Sequence, residues 1–293
     1  MSVQPKPAPA ATATPAKPVL MPTQKPAATT PSRRYLPRNL DRWLVRGGAI
    51  VFAVLMWQLL SSTGFNFFIN FEHVPTPVVV GAQFAELVVN PDFYVHIYHS
   101  LVRIFMGYAL AAVIGITLGV VMGRSRFAED VILPYIEILR PIPAVAWIPL
   151  AILMMPSEQA SIVYITFLGA VFPIVLNTVH GVEQTPPVLI RAARSLGASN
   201  ASIMRHVVLP GALPSISAGL AIGMGVAWFS LLAGEIISGQ YGIGYFTWSA
   251  YTLIEYPKII IGMLVIGLLG SACTWLVRLA CSPLLRWQSQ GSR

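Results

Sequence analysis

Few side chains in this sequence have the type and spacing that chemistry requires. His96 and His99 lie three residues apart on one helix face, but no third metal ligand accompanies them, so an interfacial role beside Tyr94 and Tyr98 is favoured. The sequence contains no H-E-x-x-H or G-x-S-x-G motif and no G-x-x-x-x-G-K-[ST] loop that would hold phosphates. We therefore expect no catalytic, cofactor-binding or metal site in this chain.

The composition indicates that lipid is the solvent for much of the chain. Hydrophobic residues make up 55% of the sequence and charged residues only 10%, and the mean hydropathy is +0.68. Soluble domains carry about 25% charged residues. The formal charge of +8 does not predict nucleic-acid binding, because apolar runs separate the basic residues. That distribution is typical of a membrane topology signal.

Six apolar runs approach the roughly 20 residues that a transmembrane helix needs: residues 47–71, 104–123, 141–157, 160–182, 206–234 and 259–277. The run at 141–157 is short and broken by prolines. A seventh run, 236–254, mixes glycine with polar side chains, and we interpret it as a re-entrant or outer-face segment. The predicted fold class is an all-α integral membrane protein with six transmembrane helices.

The distribution of arginine and lysine predicts the orientation and the division of the chain. The positive-inside rule is satisfied loop by loop when both termini are cytoplasmic. Residues 1–32, rich in Pro, Ala and Thr, predict a disordered cytoplasmic tail, and residues 33–46 a basic interfacial segment. Residues 47–284 form the predicted transmembrane domain, and residues 285–293 a cytoplasmic C-terminal tail.

One cytoplasmic loop, residues 185–210, has the sequence of a helix-turn-helix. Thr185 is expected to be the N-cap of the first helix, with Pro186 and Pro187 in its first turn. Gly197 is expected just beyond its C-terminus, in a left-handed conformation.

The second helix of this loop is expected to be short. Ser199 or Asn200 can cap its start, and Pro210 is expected to end it. A simple connection would need only about 2–8 residues. A longer, capped helix pair therefore favours a surface that docks on a partner.

This loop resembles the signature of the permease subunits of binding-protein-dependent ABC importers. That signature is E-A-A, three residues, Gly, and about ten further residues before Leu-Pro. The residues that match it here, with arginine in the place of the glutamate, are Arg191, Ala192, Ala193, Gly197, Leu209 and Pro210. The resemblance implies that the loop couples this chain to an ATPase.

Further segments between residues 74 and 284 are similar to permeases of the nitrate, sulfonate and taurine group. They are Val74-Pro75-Thr76-Pro77, Leu139-Arg140-Pro141-Ile142-Pro143, Trp147-Ile148-Pro149-Leu150, Ala227-Trp228, Gly234-Glu235 and Gly242-Ile243-Gly244-Tyr245. The resemblance implies a type I ABC importer-like homodimer in the bacterial inner membrane, with two cytoplasmic ATP-binding subunits that hydrolyse ATP and an extracytoplasmic substrate-binding protein. The implied substrate is a small anion such as an alkanesulfonate, taurine or nitrate, with a small organic precursor as the alternative.

Four residues are candidates for a pathway or gate. Glu235 follows a long apolar run and is either a functional acid or an interfacial charge at a helix end. Arg140 either attracts an anion or reaches the membrane surface, where it can pair with Glu137. Trp147 and Trp228 either line a pathway or act as packing and interface anchors.

A secondary transporter that works without an ATPase is the main alternative function. It would favour ion-coordinating groups in the middle of the spans. The apolar runs of this sequence are nearly free of charge, which disfavours that alternative.

Overall fold

The computed structural model describes residues 38–64, 71 and 73–285, and the regular structure of these residues is entirely helical. The predicted tail at 1–32, the start of the interfacial segment and residues 286–293 lie outside the described residues.

The α-helices of the described chain are α1 (Arg38–Ser62), α2 (Pro77–Val89), α3 (Pro91–Arg124), α4 (Arg126–Leu139), α5 (Ile148–Met154), α6 (Glu158–Glu183), α7 (Pro187–Ser195), α8 (Asn200–Ile203), α9 (Leu209–Ser238), α10 (Ile243–Thr252) and α11 (Tyr256–Cys281). Short 3-10 helices cover Ala144–Trp147 and Ser282–Leu285, and a π-helical turn covers Met204–Val208.

Internal contacts divide the chain after Val51. The first unit contributes the N-terminal part of α1 to the described residues. The second unit runs from Phe52 onward and contains all the other helices.

The expected all-helical membrane fold is confirmed. Within the described residues, five helical segments are long and apolar enough to cross a membrane: Leu44–Ser62, Pro91–Arg124, Glu158–Glu183, Asn200–Ile237 and Tyr256–Leu285. A sixth span results if α4 and the helices at Ala144–Met154 are counted as one bent pair.

The predicted span at 141–157 does not cross the membrane by itself. Its α-helix, α5, has seven residues and is about 10 Å long. The chain bends by 88° between α4 and the helices at Ala144–Met154, and Pro141 and Pro143 lie within that break. Proline removes a backbone donor and disfavours helix in the residue before it, so two prolines this close together favour a break.

Helix α3 is 34 residues long and begins thirteen residues before the predicted start at 104. The Asn90 side chain caps it by accepting a hydrogen bond of 2.9 Å from the Asp92 amide. The predicted span at 104–123 excludes Arg103, because it contains only residues of a charge-free run. Arg103 is 4% exposed and ion-paired inside the protein, so the span continues through it.

Glycines let α3, α6 and α9 pack backbone to backbone. A Cβ added at Gly119 of α3 would lie 2.8 Å from the carbonyl oxygen of Val175 in α6. A Cβ added at Gly181 of α6 would lie 2.9 Å from the carbonyl oxygen of Ala212 in α9. This close packing, which the small-xxx-small spacing of Gly115, Gly119 and Gly123 in α3 permits, is formed within one chain.

The ambiguous run at 236–254 does not cross the membrane. The first three residues of this run, 236–238, belong to the end of α9. Most of the rest forms α10, which has ten residues and is about 15 Å long. That length excludes a full crossing of a hydrocarbon core about 30 Å thick.

Candidate functional site

The first helix of the predicted coupling loop ends at Gly197 as expected. Gly197 has φ +79°, in the left-handed region where glycine is favoured. Its amide donates to Arg194 O at 2.9 Å, and the Ala198 amide donates to Ala193 O at 3.0 Å. These two bonds form a Schellman motif, which fixes the direction in which the chain leaves α7.

Two of the expected caps have different outcomes. The prediction of Thr185 as N-cap is wrong: Pro186 is the N-cap of α7, and Thr185 is buried without a side-chain partner. Ser199, rather than Asn200, caps the next helix, because its Oγ accepts from the Ser202 amide at 3.2 Å.

The prediction that Pro210 ends the second helix is also wrong. Helix α8 continues through the π-turn into α9, and Pro210 lies in the first turn of α9. The π-turn shifts the bonding pattern, since Leu209 donates its amide to Met204 O, five residues back. This extra residue per turn accommodates a proline that lacks an amide and crowds the preceding turn.

The coupling loop presents a basic and apolar surface. Arg191 and Ala192 are exposed, while Ala193 is half-buried against the core around Val208 and Ala212. Leu196, next to Gly197, is 88% exposed. Residues 186–204 contain arginine but no aspartate or glutamate. The surface can therefore contact a partner that offers an apolar groove and acidic groups.

Arg140 and Trp147 line a common cavity of about 590 Å³. Its walls come from the break between α4 and α5, from α6 around Phe172, and from α9 around Phe229 and Ser230. The Arg140 guanidinium forms no ion pair within the described part of the chain. The cavity thus combines aromatic walls with one free positive charge, a chemistry suited to a small anion.

Trp228 and Glu235 do not line this cavity. Trp228 is 4% exposed, packs in the core with Leu231 and Cys273, and lines a separate cavity together with Arg278. Glu235 is fully buried near the end of α9 and is therefore not an interfacial charge exposed to solvent.

Glu235 is the centre of a buried polar cluster, the Glu235 cluster, which consists of Ser100, Arg103, Gln159, Glu235 and the backbone of residues 241–244. Arg103 Nη1 donates to Glu235 Oε1 at 3.1 Å, and Ser100 Oγ donates to the same oxygen at 2.8 Å. Arg103 also donates to Gln159 Oε1 at 2.6 Å and to the carbonyl oxygen of Tyr241. The cluster therefore joins α3, α6 and α9 to the turn before α10.

The N-terminus of α10 lies directly over this carboxylate. The Gly244 amide donates to Glu235 Oε2 at 3.0 Å, and the Ile243 amide donates to Ser100 Oγ at 2.9 Å. A helix N-terminus carries partial positive charge, so it stabilises the anion. Gly242 has φ +122°, and a Cβ there would overlap the Glu235 carboxyl group. The glycines allow the backbone to approach this closely.

The two histidines lie in the same region as the Glu235 cluster. His96 Nδ1 accepts a hydrogen bond of 3.1 Å from the Gly242 amide, and the His99 ring stacks on Tyr241 with centroids 5.0 Å apart. Both rings therefore contact the turn between α9 and α10.

Sequence comparison decides the family of the chain. Residues 111–282, more than half of the sequence, match the family described as the binding-protein-dependent transport system inner membrane component. The chain belongs to this family. It is thus a permease, a multi-pass transport component of the inner membrane rather than an enzyme, and importers of this kind work with ATP-binding and substrate-binding partners.

Individual relatives agree with this assignment. The nitrate import permease protein NrtB of Synechocystis sp. is 35% identical to the permease over 232 residues, covering 76% of this chain and 82% of that protein. The bicarbonate transport system permease protein CmpB of Synechococcus elongatus is 33% identical over 245 residues, covering 80% and 86%. A probable ABC transporter permease protein of Brucella abortus is 34% identical over 234 residues, covering 80% and 91%.

Solved structures support the fold of the permease. A chain of the inward-facing methionine ABC transporter MetNI aligns with a TM-score of 0.54 at 22% identity, covering 65% of this chain and 93% of that one. A chain of an amino acid ABC transporter aligns with a TM-score of 0.54 at 19% identity, covering 73% and 99%. At these identities the likeness establishes the helical arrangement alone.

Sequence reasoning missed Ser100, Arg103 and Gln159 as partners of Glu235 in the permease. A signal was present: a carboxylate in an apolar run needs a partner, and Ser100 and Arg103 share a face of α3 through their i, i+3 spacing. Breaking a buried ion pair on one side costs about 3–5 kcal/mol. Loss of Arg103 or Glu235 alone is therefore expected to be strongly destabilising, because its buried partner is left without a counter-charge.

Proposed function

We propose that the permease forms the membrane pathway of an ATP-driven importer for a small inorganic or organic anion. The observation that carries this proposal is the coupling loop, in which a Schellman turn at Gly197 joins an exposed basic helix to a helix that enters the membrane. The relatives named for nitrate and bicarbonate transport favour a small oxyanion. The resemblance of segments between residues 74 and 284 to the nitrate, sulfonate and taurine group adds taurine and alkanesulfonates as candidates.

The coupling loop transmits the ATPase cycle by docking on a separate ATP-binding subunit. Helix α7 offers exposed arginines and Leu196 to that subunit. The turn at Gly197 connects α7 to the segment Asn200–Ile237, so displacement of α7 is passed to a membrane-crossing helix through this turn. Coupling requires that the loop bind the two states of the ATPase with different free energies.

The complete transporter contains two copies of the permease, two ATP-binding subunits and an extracytoplasmic substrate-binding protein. Val226 and Phe229 expose apolar side chains at the wall of the Arg140 cavity, where a second permease can cover them. ATP is hydrolysed on the partner subunits, because this sequence has no phosphate-binding loop.

Both termini lie in the cytoplasm, and residues 1–32 and 285–293 are cytoplasmic tails around the transmembrane domain at 47–284. The bias of arginine and lysine supports this orientation. Labelling of cysteines introduced into residues 185–210 of intact cells tests it. Reaction with a membrane-impermeant reagent from outside would contradict the orientation and the coupling role together.

Reconstitution tests the function itself. The permease is incorporated into liposomes with its ATP-binding subunits, and uptake of labelled nitrate, bicarbonate and taurine is measured with the substrate-binding protein added. We expect uptake of one of these anions that requires ATP and both partners. Uptake driven by an ion gradient without ATP would favour a secondary transporter instead.

Arg140→Gln is expected to lower anion uptake about tenfold at subsaturating substrate, because one favourable charge interaction of about 1.4 kcal/mol is lost. Arg140→Lys is the matched control, since it keeps the positive charge in the cavity, and Glu137→Gln tests the neighbouring charge. Equal uptake by Arg140→Gln and the wild type would remove Arg140 from the pathway.

Leu196→Asp is expected to weaken binding of the ATP-binding subunit about thirtyfold, the loss of roughly 2 kcal/mol that is typical of an interface hot spot. Because Leu196 is 88% exposed, the permease itself should fold normally. The control is Leu253→Asp in the turn before α11, where the leucine is 69% exposed. Co-purification of the ATP-binding subunit measures both, and equal retention by the two variants contradicts docking through Leu196.

A further inference from the structure

The Glu235 cluster lies at one end of a long continuous helix whose other end is the coupling loop. The helical segment Asn200–Ile237 has 38 residues and is about 57 Å long. Ser199, in the loop, caps its first turn, and Glu235 lies in its last turn. A movement of the loop therefore reaches the Glu235 cluster through a single helix.

Along its length this helix packs against α6 without room for sliding. A Cβ added at Gly219 of α9 would lie 2.6 Å from the Asn177 Cβ, and one added at Gly223 would lie 2.9 Å from Ile174 Cγ1. In the other direction, Gly169 of α6 receives the Ser230 side chain of α9. Such interlocked contacts move as a unit because packed helices do not deform continuously.

At the end of α9, the Glu235 cluster connects the packed pair of α6 and α9 to further elements. Arg103 connects Glu235 to α3, and Gln159 connects Arg103 to α6. Ser100 Oγ accepts a hydrogen bond from the Ile243 amide, and Glu235 Oε2 accepts one from the Gly244 amide; these two bonds hold the start of α10. Helices α3, α6 and α9 and the start of α10 are therefore bonded to the same two charges.

The burial of the cluster argues against its being a gate that opens in each cycle. Ser100 and Glu235 are 0% exposed, and Arg103 is 4% exposed. Both carboxylate oxygens of Glu235 accept hydrogen bonds, as does the carbonyl oxygen of Tyr241. Separating the pair would leave two buried charges without partners, which is strongly unfavourable.

We propose that Arg103 and Glu235 are positioning residues of transport, which keep α3, α6, α9 and the start of α10 together as one rigid unit throughout the cycle. Movement of the coupling loop then displaces this unit as a whole, including the turn around Tyr241 at its far end. The proposal rests on the proposed function, because it assigns a role in passing on the motion of the ATPase.

The test compares Arg103→Met, Glu235→Gln and the double variant Arg103→Met/Glu235→Gln in the reconstituted complex. Each single variant is expected to reduce uptake per assembled complex about tenfold, equivalent to about 1.4 kcal/mol, while ATP hydrolysis continues. The double variant is expected to recover uptake to within about threefold of wild type. No buried charge is then left unpaired, and the amide introduced by Glu235→Gln can keep the hydrogen bonds to Ser100 and to the Gly244 amide that connect α9 with α3 and α10. Glu86→Gln, at an exposed glutamate of α2, is the matched control and should behave as wild type.

A second measurement, which does not require transport, follows hydrogen exchange of residues 239–244 in the same purified variants. Exchange should be faster in both single variants and slow again in the double variant. Wild-type uptake and exchange in either single variant would overturn the proposal. A folded double variant with slow exchange that still fails to transport would also overturn it, because the charges would then act on transport directly. Failure of the wild-type complex to show ATP-dependent uptake contradicts the proposed function instead, and the exchange data still decide the rigid unit.

Discussion

Gly197→Val is expected to lower ATP-driven uptake about five- to thirtyfold while leaving membrane insertion and the amount of permease unchanged. Gly197 has φ +79°, and a β-branched residue in the left-handed region costs roughly 1–2 kcal/mol or more. The Schellman turn that sets the angle between α7 and α8 is then disfavoured, so the loop meets the ATP-binding subunit in the wrong conformation. Uptake and ATP hydrolysis, measured in the same liposomes, should become uncoupled.

Gly197→Asn is the matched control for this prediction. A Cβ at position 197 meets no atom within 4 Å, so valine and asparagine differ mainly in their tolerance of positive φ. Asparagine should therefore preserve most of the uptake. Equal loss in both variants would mean that the partner requires the absence of a side chain, and wild-type uptake in both would remove the turn from the mechanism.

Gly119→Leu is expected to prevent accumulation of folded permease. A Cβ at position 119 would lie 2.8 Å from the Val175 carbonyl oxygen and 2.8 Å from Thr178 Cγ2, so α3 and α6 must separate. Overpacking of a core lowers the free energy of unfolding by about 1–3 kcal/mol. Because the added atoms meet backbone, which cannot move aside like a side chain, we expect a loss of about 3 kcal/mol or more here. The melting temperature and the monodisperse fraction of the purified protein should both fall.

Gly267→Leu makes the same substitution where space is open. Gly267 is exposed in α11, and an added Cβ meets nothing within 4 Å, so this variant should accumulate normally. Normal accumulation of Gly119→Leu would show that the contact between α3 and α6 adapts more readily than close packing allows.

In the coupling loop, the residue preferences of helix ends predicted the structure correctly where a single residue determines the backbone conformation. Gly197 was predicted at the end of α7 because left-handed backbone strongly favours glycine, and Ser199 was one of two predicted caps. Thr185 failed as a cap because α7 begins at Pro187, which places Thr185 one residue before the N-cap position. Pro210 failed as a helix end because the π-turn before it accommodates a proline within a continuous helix.

The membrane spans were also predicted correctly in part and wrongly in part. Length and hydropathy predicted the long apolar helices, since a membrane segment satisfies its backbone hydrogen bonds within itself. The same criterion placed the start of α3 too late at 104, because it treated Arg103 as the end of a span. Hydropathy also predicted residues 141–157 as one span. In the structure, α4 lies before the proline break and pairs with the helices at Ala144–Met154 in one bent pair.

By itself, the sequence determined that this chain is an all-helical membrane protein and that Gly197 ends a helix before a second one. Those properties depend on composition, on periodicity and on backbone preferences within a few residues. Only the tertiary structure decided that Arg103 pairs with Glu235, 132 residues away, and that Arg140 and Trp147 share a cavity while Trp228 and Glu235 do not. Contacts between distant segments depend on how whole helices pack, and no local preference specifies them.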